Sequence, residues 1–211
     1  MPAMPVPCDT PPPVPDAASL REAALAHLAR FATTEHGLEQ ALLRRLRRWA
    51  QRAERAGTAM DAIETTVSAL RPVVDRIVRD MAGLGAVDDA AFARSRSRGL
   101  TRSGRSRRAV AMHLSQRGVD APVLEAAMDE ALGERADDNA RDHELGAALV
   151  LARKRRLGPF RRPDAPSPDP LAHQKALAVF ARNGFGRDVA ENALAMDPDE
   201  AEDRVLMLKS S

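Results

Sequence analysis

From Asp16 onward, apolar side chains recur at three- and four-residue spacing, the pattern of helices with one buried face. Leu20, Ala24, Leu25 and Leu28 share one stripe, which Phe31 continues; Leu38, Leu42, Leu43, Leu46 and Trp49 share the next. Thr34 suits the cap of that second helix and Gly57 its end. A third stripe runs through Ile63, Val67, Leu70, Val74, Ile77 and Met81. Pro72 lies within it, and because proline removes a backbone donor and crowds the preceding turn, a kink or split is expected there. The stretch 84–118 then predicts a helix from Asp88-Asp89, a break at Gly104, and a second helix capped by Ser106 and stopped by Gly118. Asp120 and Pro122 open a further helix with Val123, Leu124, Ala127 and Met128 on its apolar side. A long helix over 133–157, a proline-rich loop over 158–170, and a last pair over 171–183 and 187–196 follow. No segment alternates with period two over strand length, so the predicted fold class is all-α.

The chain also resembles itself. Shifted by 66 positions, residues 114–128 align with 180–194: Gly118 with Gly184, Val123 with Val189, Glu125 with Glu191 and Ala127 with Ala193. Leu114 meets Phe180, Val119 meets Phe185 and Met128 meets Leu194, all apolar pairs. The shared unit is helix, glycine, apolar residue, turn, helix. Such a unit is too small to bury its own faces, so neighbouring units must pack together. The expected organisation is a disordered proline-rich tail over 1–15, then tandem three-helix repeats over 16–82, 83–132 and 133–196. An acidic tail over 197–211 is expected to fray. The whole is expected to be elongated, with room to curve.

Composition narrows the function. A chain of 211 residues can bury a sizeable core. Aromatic residues make up only 3%, with no tyrosine, which argues against stacking platforms for single-stranded nucleic acid. The net charge of +2 conceals strong blocks: residues 41–117 hold 17 basic and 7 acidic side chains, residues 118–150 hold 2 and 9, and residues 151–162 hold 6 and none. Blocks of this kind give a molecule separate basic and acidic faces. Within 84–118 eight arginines oppose two acids, a surface suited to a negative partner.

Candidate catalytic chemistry is sparse. Cys8 is the single cysteine and stands in the proline-rich tail, so a disulfide framework or a cysteine-based metal site is excluded. His27, His36, His113, His143 and His173 show no ligand spacing, and His113 is read as a packing or surface residue. Helix capping accounts for Asp88-Asp89, and packing for Trp49. There is no phosphate loop, no charged and apolar leader, and no apolar run long enough for a membrane span. The expectation is a cytoplasmic, monomeric non-enzyme without cofactor, metal or catalytic residues.

Leu84-Gly85, Val87-Asp88-Asp89, Phe92-Ala93, Arg98, Gly104, Arg108, Val110, Leu114 and Arg117-Gly118-Val119, taken with the repeat, resemble the RecX family of bacterial RecA modulators. The resemblance is most specific over 73–132. It implies tandem three-helix repeats, binding along the RecA filament, and suppression of ATP hydrolysis, strand exchange and the coprotease activity of the SOS response. The partner-binding residues expected from charge are Arg94, Arg98, Arg102, Arg105, Arg107, Arg108, Arg117, Arg153, Lys154, Arg155 and Arg156. They would face RecA, DNA phosphate, or both, with weak non-specific affinity for single- or double-stranded DNA. The alternative is a helical DNA-binding protein or transcriptional regulator that uses 88–117 as a helix-turn-helix. Against it, the second helix of that stretch begins Ser106-Arg107-Arg108-Ala109 and lacks an Asn or Gln to read adenine.

Overall fold

The computed structural model describes residues 11–162 and 169–210, and every regular element among them is helical. Residues 1–10, with Cys8, and residues 163–168 of the proline-rich loop lie outside the described residues. The chain divides into two compact units, 1–89 and 90–211.

The first unit packs three helices: α1 (Ala17–Leu28), α2 (Glu35–Arg55) and α3 (Met60–Gly83). Asp16 caps α1, its carboxylate accepting the Ser19 N–H at 2.8 Å while Ser19 Oγ accepts the Asp16 N–H at 3.1 Å. The Ser19 N–H donated to the carboxylate favours its charged form and, with the Ser19 side chain, holds the Asp16 pKa below its ordinary value. Thr34 caps α2 as expected, accepting the Gly37 N–H at 2.9 Å. Asp89 has a second use: its Oδ1 accepts the Glu35 N–H at 2.8 Å, another of the donors that a helix start leaves unpaired. Pro72 does not split α3, which runs through it as one helix of 24 residues. The core joins Leu20, Leu38, Leu42 and Leu46 to Val74, Ile77 and Met81, while Trp49, Ala53 and Ile63 form a second cluster. Trp49 is buried, as its packing role requires, and its indole N–H donates to the Pro12 carbonyl at 3.3 Å. Residues 11–15 are therefore not a wholly free tail.

The second unit begins within α4 (Asp89–Arg102) and continues with α5 (Arg107–Gln116) and α6 (Ala121–Leu132). Phe92, Val110, Leu114, Val119, Leu124 and Met128 form their core. Next come α7 (Asp138–Arg155), a single 3-10 turn (Gly158–Phe160), α8 (Pro170–Arg182), α9 (Arg187–Ala195) and α10 (Pro198–Ser210). Helix α7 starts later than the expected 133, because Gly133 takes a left-handed φ of 84° and residues 133–137 form the turn.

The acidic tail does not fray. It forms α10, which buries Ala201, Val205 and Leu208 at helical spacing. Gly146 of α7 lets this helix approach, since a Cβ there would lie 3.2 Å from Leu208 Cδ2 and 3.3 Å from its Cβ. The acids of α10 occupy its outer face, and its small apolar stripe closes the core around Phe180 and Phe185.

The internal repeat is a repeat of structure. Leu114 and Phe180 are both fully buried, as are Ala127 and Ala193 to within 2%. The two glycines adopt φ of 76° at Gly118 and 84° at Gly184. The same hydrogen bonds close each helix end: Val119 N–H to the Leu114 carbonyl at 3.2 Å, and Phe185 N–H to the Phe180 carbonyl at 3.2 Å. The difference is one of size, since the rings of Phe180 and Phe185 meet edge to face at 5.9 Å where the earlier copy has Leu and Val.

Candidate anion-binding groove

Gly104 ends the arginine-rich helix α4 with φ of 85° and presses the turn against α7. A Cβ there would sit 3.0 Å from Val150 Cγ1 and 3.1 Å from the Leu151 nitrogen. Lys154 on α7 reaches back and donates to the Ser103 carbonyl at 2.7 Å, where the end of α4 concentrates negative partial charge. Ser106 then serves two helices. Its Oγ accepts the Ala109 N–H at 3.2 Å and donates to the Asn183 carbonyl at 2.7 Å, fastening the end of α8 to the start of α5. Gly184 makes that contact possible, because a Cβ there would stand 2.7 Å from Ser106 Oγ.

This junction leaves a groove of about 540 Å³ between α5 and the α8 turn, lined by Arg105, Arg108, His113, Gln116, Arg182 and Asn183 among others. Arg105, Arg108 and Arg182 are exposed, and none has an ion pair or side-chain hydrogen bond among the described residues. His113 Nε2 is buried in the wall without a partner. Burial, and then the charges of Arg117, Arg96 and Arg105, push the His113 pKa below its ordinary value, so the imidazole is neutral near pH 7. Three guanidinium forks around one concavity have the charge and geometry to hold an oxyanion. Arg182 was not among the residues expected from charge. The repeat could have pointed to it, since it aligns with Gln116, which lines the same groove.

The other expected residues divide by what they touch. Arg107 is mostly buried and works inside the fold: its guanidinium donates to the Gly133 carbonyl at 2.8 Å and pairs with the Asp129 carboxylate. Its backbone N–H donates to Glu144 Oε2 at 2.8 Å. Burial pushes the Glu144 pKa up, and the Arg107 N–H and guanidinium oppose that shift. Arg94 pairs with Glu130 at 3.4 Å and Arg153 with Glu202 at 2.8 Å. Arg98 and Arg102 line a separate small pocket of about 30 Å³ near Thr101 and Leu132. Arg117, Arg155 and Arg156 are exposed, and Arg156 closes α7 in the left-handed conformation at φ 55°. The structure thus brings Arg105 and Arg108 together with Arg182 and sets Arg94, Arg107, Arg153 and Lys154 to internal contacts.

Among the described residues no group of three or more His, Cys, Asp or Glu side chains is placed to hold a metal ion, and no helix is long and apolar enough to cross a membrane.

Comparison with known proteins agrees with this architecture. Residues 88–128 match the family profile described as RecX, second three-helix domain. The chain is 32% identical over 183 residues to the regulatory protein RecX of Agrobacterium fabrum, covering 87% of this chain and 85% of that one. It is 32% identical over 180 residues to the regulatory protein RecX of Myxococcus xanthus, covering 85% and 86%. A further relative, the regulatory protein RecX of a Mycobacterium species, is 28% identical over 128 residues, or 60% of this chain and 64% of that one.

Proposed function

This chain belongs to the RecX family of regulatory proteins, and from that premise we propose that it binds the RecA nucleoprotein filament and lowers its ATPase, strand-exchange and SOS coprotease activities. It acts by occupancy rather than by a reaction of its own, as a monomer in the cytoplasm, with weak affinity for DNA alongside. The observation that carries this reading is the groove: Arg105, Arg108 and Arg182 converge there, and among the described residues no acid pairs with any of them. Exposed ion pairs return at most about 1 kcal/mol each, so stability gives little reason to gather three cations; a negative partner does.

A sequence-reading helix-turn-helix finds less support. The front of α5 is engaged within its own unit, with Ser106 bonded to Asn183 and the Arg107 N–H bonded to Glu144. That is the end a recognition helix presents to base edges.

The test is ATP hydrolysis by RecA on single-stranded DNA, titrated with the parent protein and with a variant carrying Arg105→Glu, Arg108→Glu and Arg182→Glu. The expected result is an unchanged helical circular-dichroism spectrum with suppression lost, because attraction becomes repulsion at the contact. A folded variant that suppresses as well as the parent overturns the groove as the binding face.

A further inference from the structure

The longest uncompensated run of positive charge lies in the first unit. Helix α2 carries Arg44, Arg45, Arg47, Arg48, Arg52 and Arg55, all exposed. At 3.6 residues per turn these six fall within an arc of about 160°, on the side of the helix away from the buried stripe of Leu38, Leu42, Leu46, Trp49 and Ala53. Glu39 and Glu54, the neighbouring acids of α2, fall outside that arc. Among the described residues none of the six forms an ion pair, and the single hydrogen bond their side chains donate is from Arg52 Nε to the Arg48 carbonyl at 3.3 Å. Acids are available in this unit, and α3 contributes Asp61, Glu64, Asp75 and Asp80. Of these four carboxylates only that of Asp80 pairs with an arginine among the described residues, and that is Arg21 of α1, at 3.5 Å.

Folding does not call for this arrangement. Arg44 with Arg48, and Arg48 with Arg52, are like charges one turn apart, a spacing that weakens a helix. Nor does the arc look like the centre of a protein interface, which needs apolar or aromatic anchors. Its one apolar member is Ala41, since Trp49 faces inward. What remains is a straight cationic ridge about 16 Å long from Arg44 to Arg55. At one phosphate per ~3.4 Å of duplex axis on each strand, that length spans about five phosphates. Guanidinium groups match phosphate oxygens two at a time, and a ridge without stacking rings reads backbone rather than bases.

We propose that the exposed face of α2 is a nucleic-acid surface that holds the phosphodiester backbone without regard to sequence. It is separate from the groove proposed above in its residues and in its unit, so either can fail without the other.

The experiment uses the full chain and a fluorescein-labelled 20-base-pair duplex, with anisotropy followed across a salt titration. The variant carries Arg45→Gln, Arg48→Gln and Arg52→Gln, and circular dichroism with a melting curve establishes that it is folded. Each phosphate contact contributes about 0.9 to the slope of log affinity against log salt, so a slope shallower by roughly two to three is expected. A second variant, Arg135→Gln with Arg141→Gln, removes two exposed arginines of the second unit that line no part of the groove, and should keep the parent's slope to within about one contact. A folded α2 variant that binds with the parent's affinity and slope overturns the proposal. So does a parent that binds labelled polyglutamate as tightly as the duplex at equal salt, because the ridge would then serve acidic protein.

Discussion

In the first unit, six arginines of α2 face solvent and pair with no acid among the described residues; in the second, Arg94, Arg107 and Arg153 each have a carboxylate and Lys154 a helix-end carbonyl. The residue types match and their physical roles do not. Around Arg107 the charge is part of the fold, tying the turn after α6 to the start of α5. On α2 the charge opposes the fold slightly and makes sense only through something outside the chain. A count of basic residues therefore overstates the second unit as a contact surface and understates the first. What separates the two cases is whether tertiary packing brings an acceptor within reach.

The sharpest way to break that contrast is to remove one arginine from each class. Arg107→Ala strips the Gly133 carbonyl and Asp129 of their donor in a mostly buried place, and we expect a loss of about 2–3 kcal/mol in urea unfolding. Arg48→Ala removes a like-charge neighbour from a solvated helix face, so stability should hold within about 0.5 kcal/mol, with any change a gain. Equal costs at the two positions would remove the distinction.

A second comparison sets two helix-ending glycines side by side. Gly57 in the first unit and Gly184 in the second share nearly the same left-handed φ, 85° and 84°. A Cβ at Gly57 meets nothing within 4 Å, whereas one at Gly184 stands 2.7 Å from Ser106 Oγ. Gly57→Ala should thus cost only the backbone strain, about 1 kcal/mol. Gly184→Ala should cost that plus displacement of the Ser106 bond to Asn183, roughly 2–3 kcal/mol in all. Thermal melting of both variants measures the difference, and matching melting points would mean that the Ser106 junction yields freely.

The smallest expected effect concerns pH and Glu144. Its pKa is raised in the folded state by burial, so the folded chain holds that proton more tightly than the unfolded chain does. The stability this contributes is fully present below the ordinary carboxylate value and is lost as pH rises through the folded value. Glu144→Gln keeps an acceptor for the Arg107 N–H and removes the titration. Relative to the parent, the variant should become more stable as pH rises from about 4 toward 7, with a level difference above the folded value. A difference in melting temperature that stays flat across that range would show that the carboxylate is not desolvated.

Much of the fold was legible because its signals are local. The stripe of Leu38, Leu42 and Leu46, the cap at Thr34 and the stop at Gly118 each need only a few neighbouring residues to declare themselves, and the 66-residue repeat needs only the chain laid against itself. Helix α10 was missed because Asp199, Glu200, Glu202 and Asp203 obscure an apolar stripe made of Ala201, Val205 and Leu208, which has value only where Gly146 clears a seat for it. The groove was half legible. Arg105 and Arg108 stood out by charge, but Arg182 lies more than 70 positions away and joins them only through the contact between Gly184 and Ser106.

The order of residues alone specifies a helical protein of the RecX kind, the bounds of most of its helices, and more positive charge in its middle than folding requires. Tertiary structure decided which of those charges are spent. Helix periodicity acts over one or two turns, so it can be read along the chain. An ion pair needs two groups within about 4 Å, and the partners here lie 22 residues apart for Arg107 and Asp129 and 49 for Arg153 and Glu202. Only the packing of the helices against one another sets those distances, and so only packing separates an arginine that holds the fold from one left for a partner.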